Sequence, residues 1–124
     1  MFTMRLRGGA PIYEQLGNRI TELILSGEMA EGEKLPAVRE IATQLSINPN
    51  TVQKTYAELE RQGLIYSLPA KGSYVAERSS YIKKVTEKAA ADFGEAVQTA
   101  FSRGLSESDL IDIIKKNQQE VSDK

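Results

Sequence analysis

Apolar residues recur at helical spacing in the first half of the chain, and this pattern predicts three helices. The first helix spans Pro11 to Ser26, with proline suited to its first turn and Gly27 to the residue after its end. A short second helix follows Pro36, and a third begins at about Pro49 and ends at Gly63. The apolar positions of these helices are Ile12, Leu16, Ile20, Leu23, Ile24, Val38, Ile41, Ala42, Leu45, Val52, Tyr56 and Leu59.

Polar segments rich in turn-forming residues separate the helices. Residues 28–34 are predicted to be a polar connection, and the turn from the second helix to the third is tight because Asn48 is a good N-cap. Two short β-favouring runs, residues 64–67 and 73–76, flank a five-residue loop and predict a hairpin. Three helices followed by one hairpin predict a winged helix-turn-helix.

A longer helical stripe begins after Arg78. It predicts a fourth helix over about residues 80–103, ended by a glycine, and a fifth helix of roughly 12 residues that Ser106 and Asp109 can cap reciprocally. The predicted fold is therefore mainly α with a small β-hairpin. Its domains are a winged helix-turn-helix over residues 1–78 and a two-helix C-terminal extension over residues 79–124.

The apolar stripe of the fourth helix is too long for the fifth helix to cover alone, so leftover apolar surface is expected. Pairing with a second subunit would cover it, and the extension is predicted to form a homodimer. The alternative is that both helices fold back on the first domain of the same chain. The interface residues predicted for the dimer are Ile82, Val85, Ala89, Phe93, Val97, Phe101, Leu110 and Ile114.

Composition excludes several kinds of chemistry. The chain has neither cysteine nor histidine, which removes disulfides, thiolate nucleophiles, the usual zinc ligand sets and the commonest general base, so neither a metal site nor a cofactor is expected. No apolar run approaches the roughly 20 residues that span a bilayer, and residues 1–9 lack the apolar core of a signal peptide. A cytoplasmic protein that does not bind membranes is expected.

The net charge of −1 argues mildly against nucleic acid as a partner, because DNA-binding proteins usually carry a basic excess. The distribution of charge weakens this objection. Residues 1–90 contain 12 basic and 10 acidic side chains, whereas residues 91–124 contain 4 basic and 7 acidic ones. DNA binding is therefore expected in the first part of the chain.

The third helix is the element that would enter the major groove of DNA. Asn50, Gln53 and Lys54 face outward on its first turns; Asn or Gln can pair with adenine, and Lys favours the acceptors of guanine. Thr51 and the helix N-terminus are better placed for a phosphate. The alternative for each of these residues is an ordinary solvated position without a ligand.

Three further residues are candidates for DNA contact. Arg39 lies beside the turn, where it can reach a phosphate or a base edge; its alternative is a surface ion pair with Glu40 or Glu58. Lys71 and Gly72 lie at the tip of the predicted wing, where a cation can follow the minor groove and a glycine permits close backbone approach. A plain hairpin turn would also use Gly72.

Four segments resemble the DNA-binding domain of the GntR family: Pro11 to Leu16, GEKLPAVREIATQL from Gly32, NPNTVQKTYAELERQGLI from Asn48, and KGSYV from Lys71. Their order and spacing also agree, and the short extension is similar to that of the YtrA-like subfamily. The resemblance implies a homodimeric regulator, usually a repressor and often of nearby transporter genes. It supports DNA contact by Arg39, Asn50, Thr51, Gln53, Lys71 and Gly72.

Two residues depart from the family pattern. Pro49 stands where many members have an arginine that contacts DNA, so a base preference that depends on that arginine does not transfer. Thr55 stands where alanine is usual, which is a small change in packing. The sequence identifies no small-molecule effector. Two helices can enclose a cavity on the order of 300 Å³ only between subunits, so an effector site would require the dimer.

Other classes of function fit the sequence less well. An enzyme would need a convergent constellation, and neither a glycine-rich phosphate loop nor a nucleophile motif appears. The main alternative is a winged helix that mediates protein contacts without specific DNA binding, because a fold does not fix a function. RNA is a poorer partner, since its A-form major groove is too narrow for a helix.

Overall fold

The computed structural model describes residue 2 and residues 4–122, and these form two compact units. One unit ends at Val85 and the other begins at Thr86. The first unit contains helices α1 (Ile12–Ser26), α2 (Val38–Leu45) and α3 (Pro49–Arg61), followed by strands β1 (Ile65–Leu68) and β2 (Gly72–Val75). This order confirms the predicted winged helix-turn-helix.

Helix α1 packs against α3, and its apolar stripe points inward. Its buried side chains are Leu16, Ile20, Leu23 and Ile24. Gly27 ends the helix with φ of 84°, a left-handed conformation that glycine adopts without steric cost, and its N–H donates to the carbonyl of Ile24. The predicted end of α1 is confirmed.

The turn between α2 and α3 also follows the sequence prediction. Ser46 adopts a left-handed conformation with φ of 55°, and Ile47 donates from its N–H to the carbonyl of Ala42. Asn48 is the N-cap of α3: its side-chain oxygen accepts from the N–H of Asn50 at 2.8 Å, and Pro49 occupies the first helical position. These local contacts set the start of α3.

The hairpin is tighter than the sequence predicted. Strands β1 and β2 are antiparallel, with Ile65 opposite Val75 and Leu68 opposite Gly72. Because Leu68 and Gly72 belong to the strands, the loop has three residues, 69–71, instead of the predicted five. The prediction was wrong because the left-handed conformation of Ala70, with φ of 62°, allows the chain to reverse within fewer residues.

Residues 32–35 extend the hairpin on its β2 side, although residues 32–34 were predicted to be part of a polar connection. The N–H groups of Gly32 and Leu35 donate to the carbonyls of Val75 and Ser73, and Val75 donates to Glu33. Lys34 forms a β-bridge with Tyr74. The wing therefore has a third, short edge segment, which attaches β2 to the part of the chain that precedes α2.

The hydrophobic core of the first unit combines all these elements. Side chains from α1, α2, α3 and both strands surround it, and Phe2 and Tyr81 contribute from outside them. Ile82 and Val85 are half-buried against the same core. The compact unit thus continues past the predicted domain boundary at residue 78.

A short 3-10 helix, Arg78–Ser80, precedes helix α4 (Ile82–Ser102), and helix α5 spans Glu107–Ser122. Ser106 and Asp109 form the reciprocal cap: the Asp109 carboxylate accepts from the Ser106 N–H at 2.8 Å, and the Ser106 hydroxyl accepts from the Asp109 N–H at 3.1 Å. These hydrogen bonds hold the pKa of Asp109 below its ordinary value. Helix α5 is longer than predicted.

Candidate nucleic-acid interface

The front of α3 is polar, exposed and free of carboxylates. Asn50, Gln53 and Lys54 are exposed and Thr51 is half-buried, while no acidic residue occupies the first turn. The buried side of the helix carries Val52, Thr55, Tyr56 and Leu59. The dipole of the helix N-terminus adds partial positive charge at this end, although the N–H groups of Asn50 and Thr51 already donate to Asn48. Such a surface is suited to a polyanion that presents hydrogen-bonding groups.

Lys54 has a partner that the sequence did not reveal. Its Nζ lies 3.9 Å from the centroid of the Tyr13 ring on α1, within the range of a cation–π contact. Tyr13 is 41 positions away in the sequence, so no local pattern predicts the contact. The ring orders the lysine side chain at the edge of the α3 front.

Thr55 links the same two helices from their buried side. It is almost completely buried, and its hydroxyl lies 3.0 Å from the carbonyl oxygen of Thr51 and 3.3 Å from that of Tyr13. A single hydroxyl hydrogen donates to one of these acceptors at a time. The substitution for the usual alanine therefore places a polar anchor under the front of α3, and is more than a change in packing volume.

Arg39 is exposed near the start of α2. Among the described residues it forms no ion pair, and Glu58, one of the two carboxylates considered for it, is bonded to Arg61 and Gln62 instead. The guanidinium is thus available to an external ligand. Arginine can bind a phosphate or guanine through two parallel hydrogen bonds.

The position of α2 relative to α3 is fixed by a buried hydrogen bond. The Tyr56 hydroxyl of α3 donates to the carbonyl of Pro36, two residues before α2 begins. Burial, with a smaller contribution from the nearby Glu40 carboxylate, raises the pKa of Tyr56 well above its ordinary value. The proton of this hydrogen bond is therefore retained throughout the physiological pH range.

The wing tip carries Lys71 and Gly72, both exposed. Gly72 has φ of 116°, and a Cβ at this position would lie 2.9 Å from Cε of Lys34. The Lys71 carbonyl accepts from the Tyr74 hydroxyl at 3.3 Å, and the Tyr74 ring stacks on that of Tyr66 with centroids 5.7 Å apart. Lys34 was not among the residues predicted to bind DNA, because its pairing with β2 was not recognised.

The predicted interface residues of the extension differ in exposure. Ile82 and Val85 are half-buried against the core of the first unit. Val97 and Leu110 are half-buried, whereas Ala89, Phe93, Phe101 and Ile114 are exposed. No residue of α4 is buried. In the second unit the predicted interface therefore consists mainly of exposed side chains, those of Ala89, Phe93, Phe101 and Ile114.

The described part of the chain contains neither a membrane-spanning helix nor a cluster of metal-ligating side chains. No helix of this part of the chain is long and apolar enough to cross a bilayer. No group of three or more potential ligand residues, counting Asp and Glu, is arranged to hold a metal ion there.

Over residues 12–75 the chain matches the family described as "Bacterial regulatory proteins, gntR family". It is similar to the HTH-type transcriptional repressor YtrA of Bacillus subtilis (strain 168), with 51% identity over 73 residues. That alignment covers 59% of this chain and 56% of the repressor, so the chain matches just over half the length of this relative.

Two solved structures extend the comparison. A GntR family transcriptional regulator from Listeria monocytogenes is 33% identical, with a TM-score of 0.74 over 90% of this chain and 98% of that one. The DNA-binding domain of AraR, in complex with an operator, is 28% identical, with a TM-score of 0.53 over 61% of this chain and 92% of that one.

Proposed function

We propose that this chain, which belongs to the gntR family of bacterial regulatory proteins, represses transcription as a homodimer on an inverted-repeat operator. Membership of this family makes it a DNA-binding transcription regulator and not an enzyme. The front of α3 is the observation that carries this proposal. It presents Asn50 and Gln53 to solvent from a helix whose first turn contains no carboxylate. These amides can read adenine in the major groove.

The remaining candidates are assigned supporting roles. Arg39 contacts a phosphate or a base edge beside the turn, and Thr51 contacts a phosphate at the start of α3. Lys71 and Gly72 bring the wing to the minor groove. Lys54 contacts guanine only if its ammonium leaves the Tyr13 ring, so its contribution is expected to be smaller than that of Gln53.

Dimerisation is proposed from the exposed apolar surface of the second unit. Phe93 and Phe101 on α4 expose 54% and 50% of their surface, and Ile111, Ile113 and Ile114 on α5 are also exposed. A second copy of the chain would remove these side chains from water. A two-fold dimer also matches two half-sites separated by about one turn of DNA, since operator symmetry mirrors protein symmetry.

The biological setting is proposed from the family resemblance. The chain acts in the cytoplasm, where its operator DNA is found, and its targets are nearby genes, with transporter genes the first to examine. An effector, where one exists, is expected to bind between the subunits of the dimer and to change the distance between the two α3 helices.

The test is a selection of bound duplexes from a randomised pool, followed by anisotropy titration of the enriched duplex and of a scrambled duplex of equal length. An enriched inverted repeat bound at least about 10³-fold more tightly than the scrambled duplex is expected. A folded, dimeric protein that enriches no sequence at low salt would contradict the proposal. It would favour a winged helix that binds a protein partner.

A further inference from the structure

The edge segment that pairs with β2 brings a second lysine to the wing. Lys34 lies opposite Tyr74 in the β-bridge, and Gly72 is two residues before Tyr74 on the same strand. The lysine side chain extends diagonally toward Gly72: its Cε and Nζ lie 2.9 Å and 3.8 Å from the position that a Cβ of residue 72 would occupy. Diagonal neighbours across a strand pair are within reach of such a long side chain.

The ammonium of Lys34 is available to a ligand. Lys34 is exposed, and within residues 4–122 it forms no ion pair. The adjacent carboxylate, that of Glu33, accepts a hydrogen bond from the N–H of Ala30 at 3.1 Å. Lys71 is the chain neighbour of Gly72 and is also exposed, so two unpaired lysines are found at the same end of the hairpin.

We propose that Lys34 is a DNA-contacting residue of the wing, that it binds a backbone phosphate together with Lys71, and that Gly72, whose φ of 116° already disfavours other residues, also leaves room for the lysine side chain. This inference rests on the proposed DNA-binding function and adds a phosphate contact to it. The role of Gly72 changes accordingly: its missing side chain leaves room for Lys34 and is not needed primarily for close approach of the backbone to DNA.

Salt dependence gives a direct test, because each phosphate neutralised by a lysine contributes about 0.9 to the slope of log K against log salt. The variant Lys34→Met keeps the length of the side chain and removes its charge. Its slope is expected to be smaller by about 0.9 for each subunit, or about 1.8 for the dimer, on both the enriched and the scrambled duplex, since a phosphate contact does not depend on sequence. Lys34→Arg is expected to restore the wild-type slope.

Lys116→Met is the matched control, because it removes the same charge from an exposed position on α5. A slope for Lys34→Met equal to that of Lys116→Met would overturn the inference while leaving the proposed function intact. A wild-type protein that binds neither duplex would contradict the proposed function as well. The two failures are therefore distinguishable.

A double-mutant cycle tests the role of Gly72. Any alanine at a φ of 116° is strained, but this strain is present in both backgrounds and cancels in the cycle. Gly72→Ala is expected to weaken binding of the enriched duplex more in the wild type than in the Lys34→Ala background. Equal losses in the two backgrounds would show that Gly72 acts independently of Lys34 and would overturn this part of the inference.

Discussion

In the first unit Leu16, Ile20 and Ile41 are completely buried, whereas in the second unit Phe93 and Phe101 each expose half of their surface. The first unit contains its own hydrophobic core, built from three helices and a hairpin. Helices α4 and α5 are amphipathic but provide no comparable interior, and no residue of α4 is buried. Similar apolar patterns in the sequence thus lead to different structural outcomes.

This difference in the burial of apolar side chains indicates which kind of partner each unit is suited to bind. The surface left by the first unit is polar at the front of α3 and at the wing, which suits DNA. The second unit leaves large apolar side chains exposed, and an exposed apolar surface is typical of a protein interface. The comparison therefore separates the residues expected to control DNA affinity from those expected to control assembly.

Replacing the exposed phenylalanines should have the largest effect. The double variant Phe93→Glu with Phe101→Glu is expected to be monomeric, because burying the exposed halves of four phenylalanines in a dimer contributes about 3 kcal/mol or more. Sedimentation measures the assembly state. Gln98→Glu with Gln119→Glu introduces the same number of carboxylates at exposed positions and should remain dimeric. A double phenylalanine variant that still sediments as a dimer would exclude this interface.

A cavity in the first unit should have the next largest effect. Leu16→Ala is expected to lower the free energy of unfolding by about 2–5 kcal/mol, because Leu16 is completely buried. Denaturant titration measures this change. Leu25→Ala, on the same helix but 37% exposed, should cost much less. Equal losses for the two variants would show that burial within α1 does not determine the stability of the unit.

Alterations of the DNA-facing side chains should change affinity without changing assembly. Arg39→Ala and Gln53→Ala are each expected to cost about 1–3 kcal/mol of specific binding if each reads a base. Anisotropy titration of the enriched duplex measures the cost, and sedimentation checks that the dimer persists. Gln119→Ala, in the second unit, is the control. Unchanged affinity in both DNA-facing variants would refute the assignment of these residues.

The smallest predicted change concerns Tyr56. Tyr56→Phe is expected to lower the free energy of unfolding by about 1 kcal/mol at neutral pH, through loss of the hydrogen bond to Pro36. The folded state raises the pKa of Tyr56, so the stabilisation is complete below the unfolded pKa of about 10 and is lost as the pH rises toward the folded value. Denaturant titration should therefore find that wild type and variant converge above pH 10.

The matched control for this prediction is Tyr66→Phe, since Tyr66 is exposed on the hairpin. It should leave the stability at neutral pH and its dependence on alkaline pH nearly unchanged. A difference between wild type and Tyr56→Phe that stays constant through the alkaline range would contradict the link between the buried hydroxyl and stability.

The elements that the sequence predicted correctly are those with local signals. The spacing of apolar residues, the capping pair Ser106 and Asp109, and the Asn48 to Pro49 helix start all depend on residues a few positions apart. Phe2 was missed because a lone phenylalanine near the start of a chain has no period. The pairing of residues 32–35 with β2 joins segments about 40 positions apart, and the short polar segment has no alternating pattern.

The candidate site was likewise predictable only where its residues carry a local sequence signal. Which residues of α3 face outward follows from helical periodicity, so Asn50, Gln53 and Lys54 could be named in advance. Two lysine contacts depend instead on tertiary packing: Lys54 lies over the Tyr13 ring, and Lys34 lies over Gly72. The sequence thus predicts the chemistry of this surface, but not the groups that its lysines contact.

The third segment of the wing has a consequence for the kinetics of DNA recognition. Hydrogen bonds from Leu35 to Ser73 and from Val75 to Glu33 attach the β2 side of the hairpin to the segment that precedes α2. Ordering a free loop on binding would cost about 1–2 kcal/mol for each residue fixed, and slow opening and closing would limit the rate of productive encounters. Here that ordering takes place when the protein folds. If the wing enters the minor groove as proposed, it does so already ordered, and no slow ordering step delays a productive encounter.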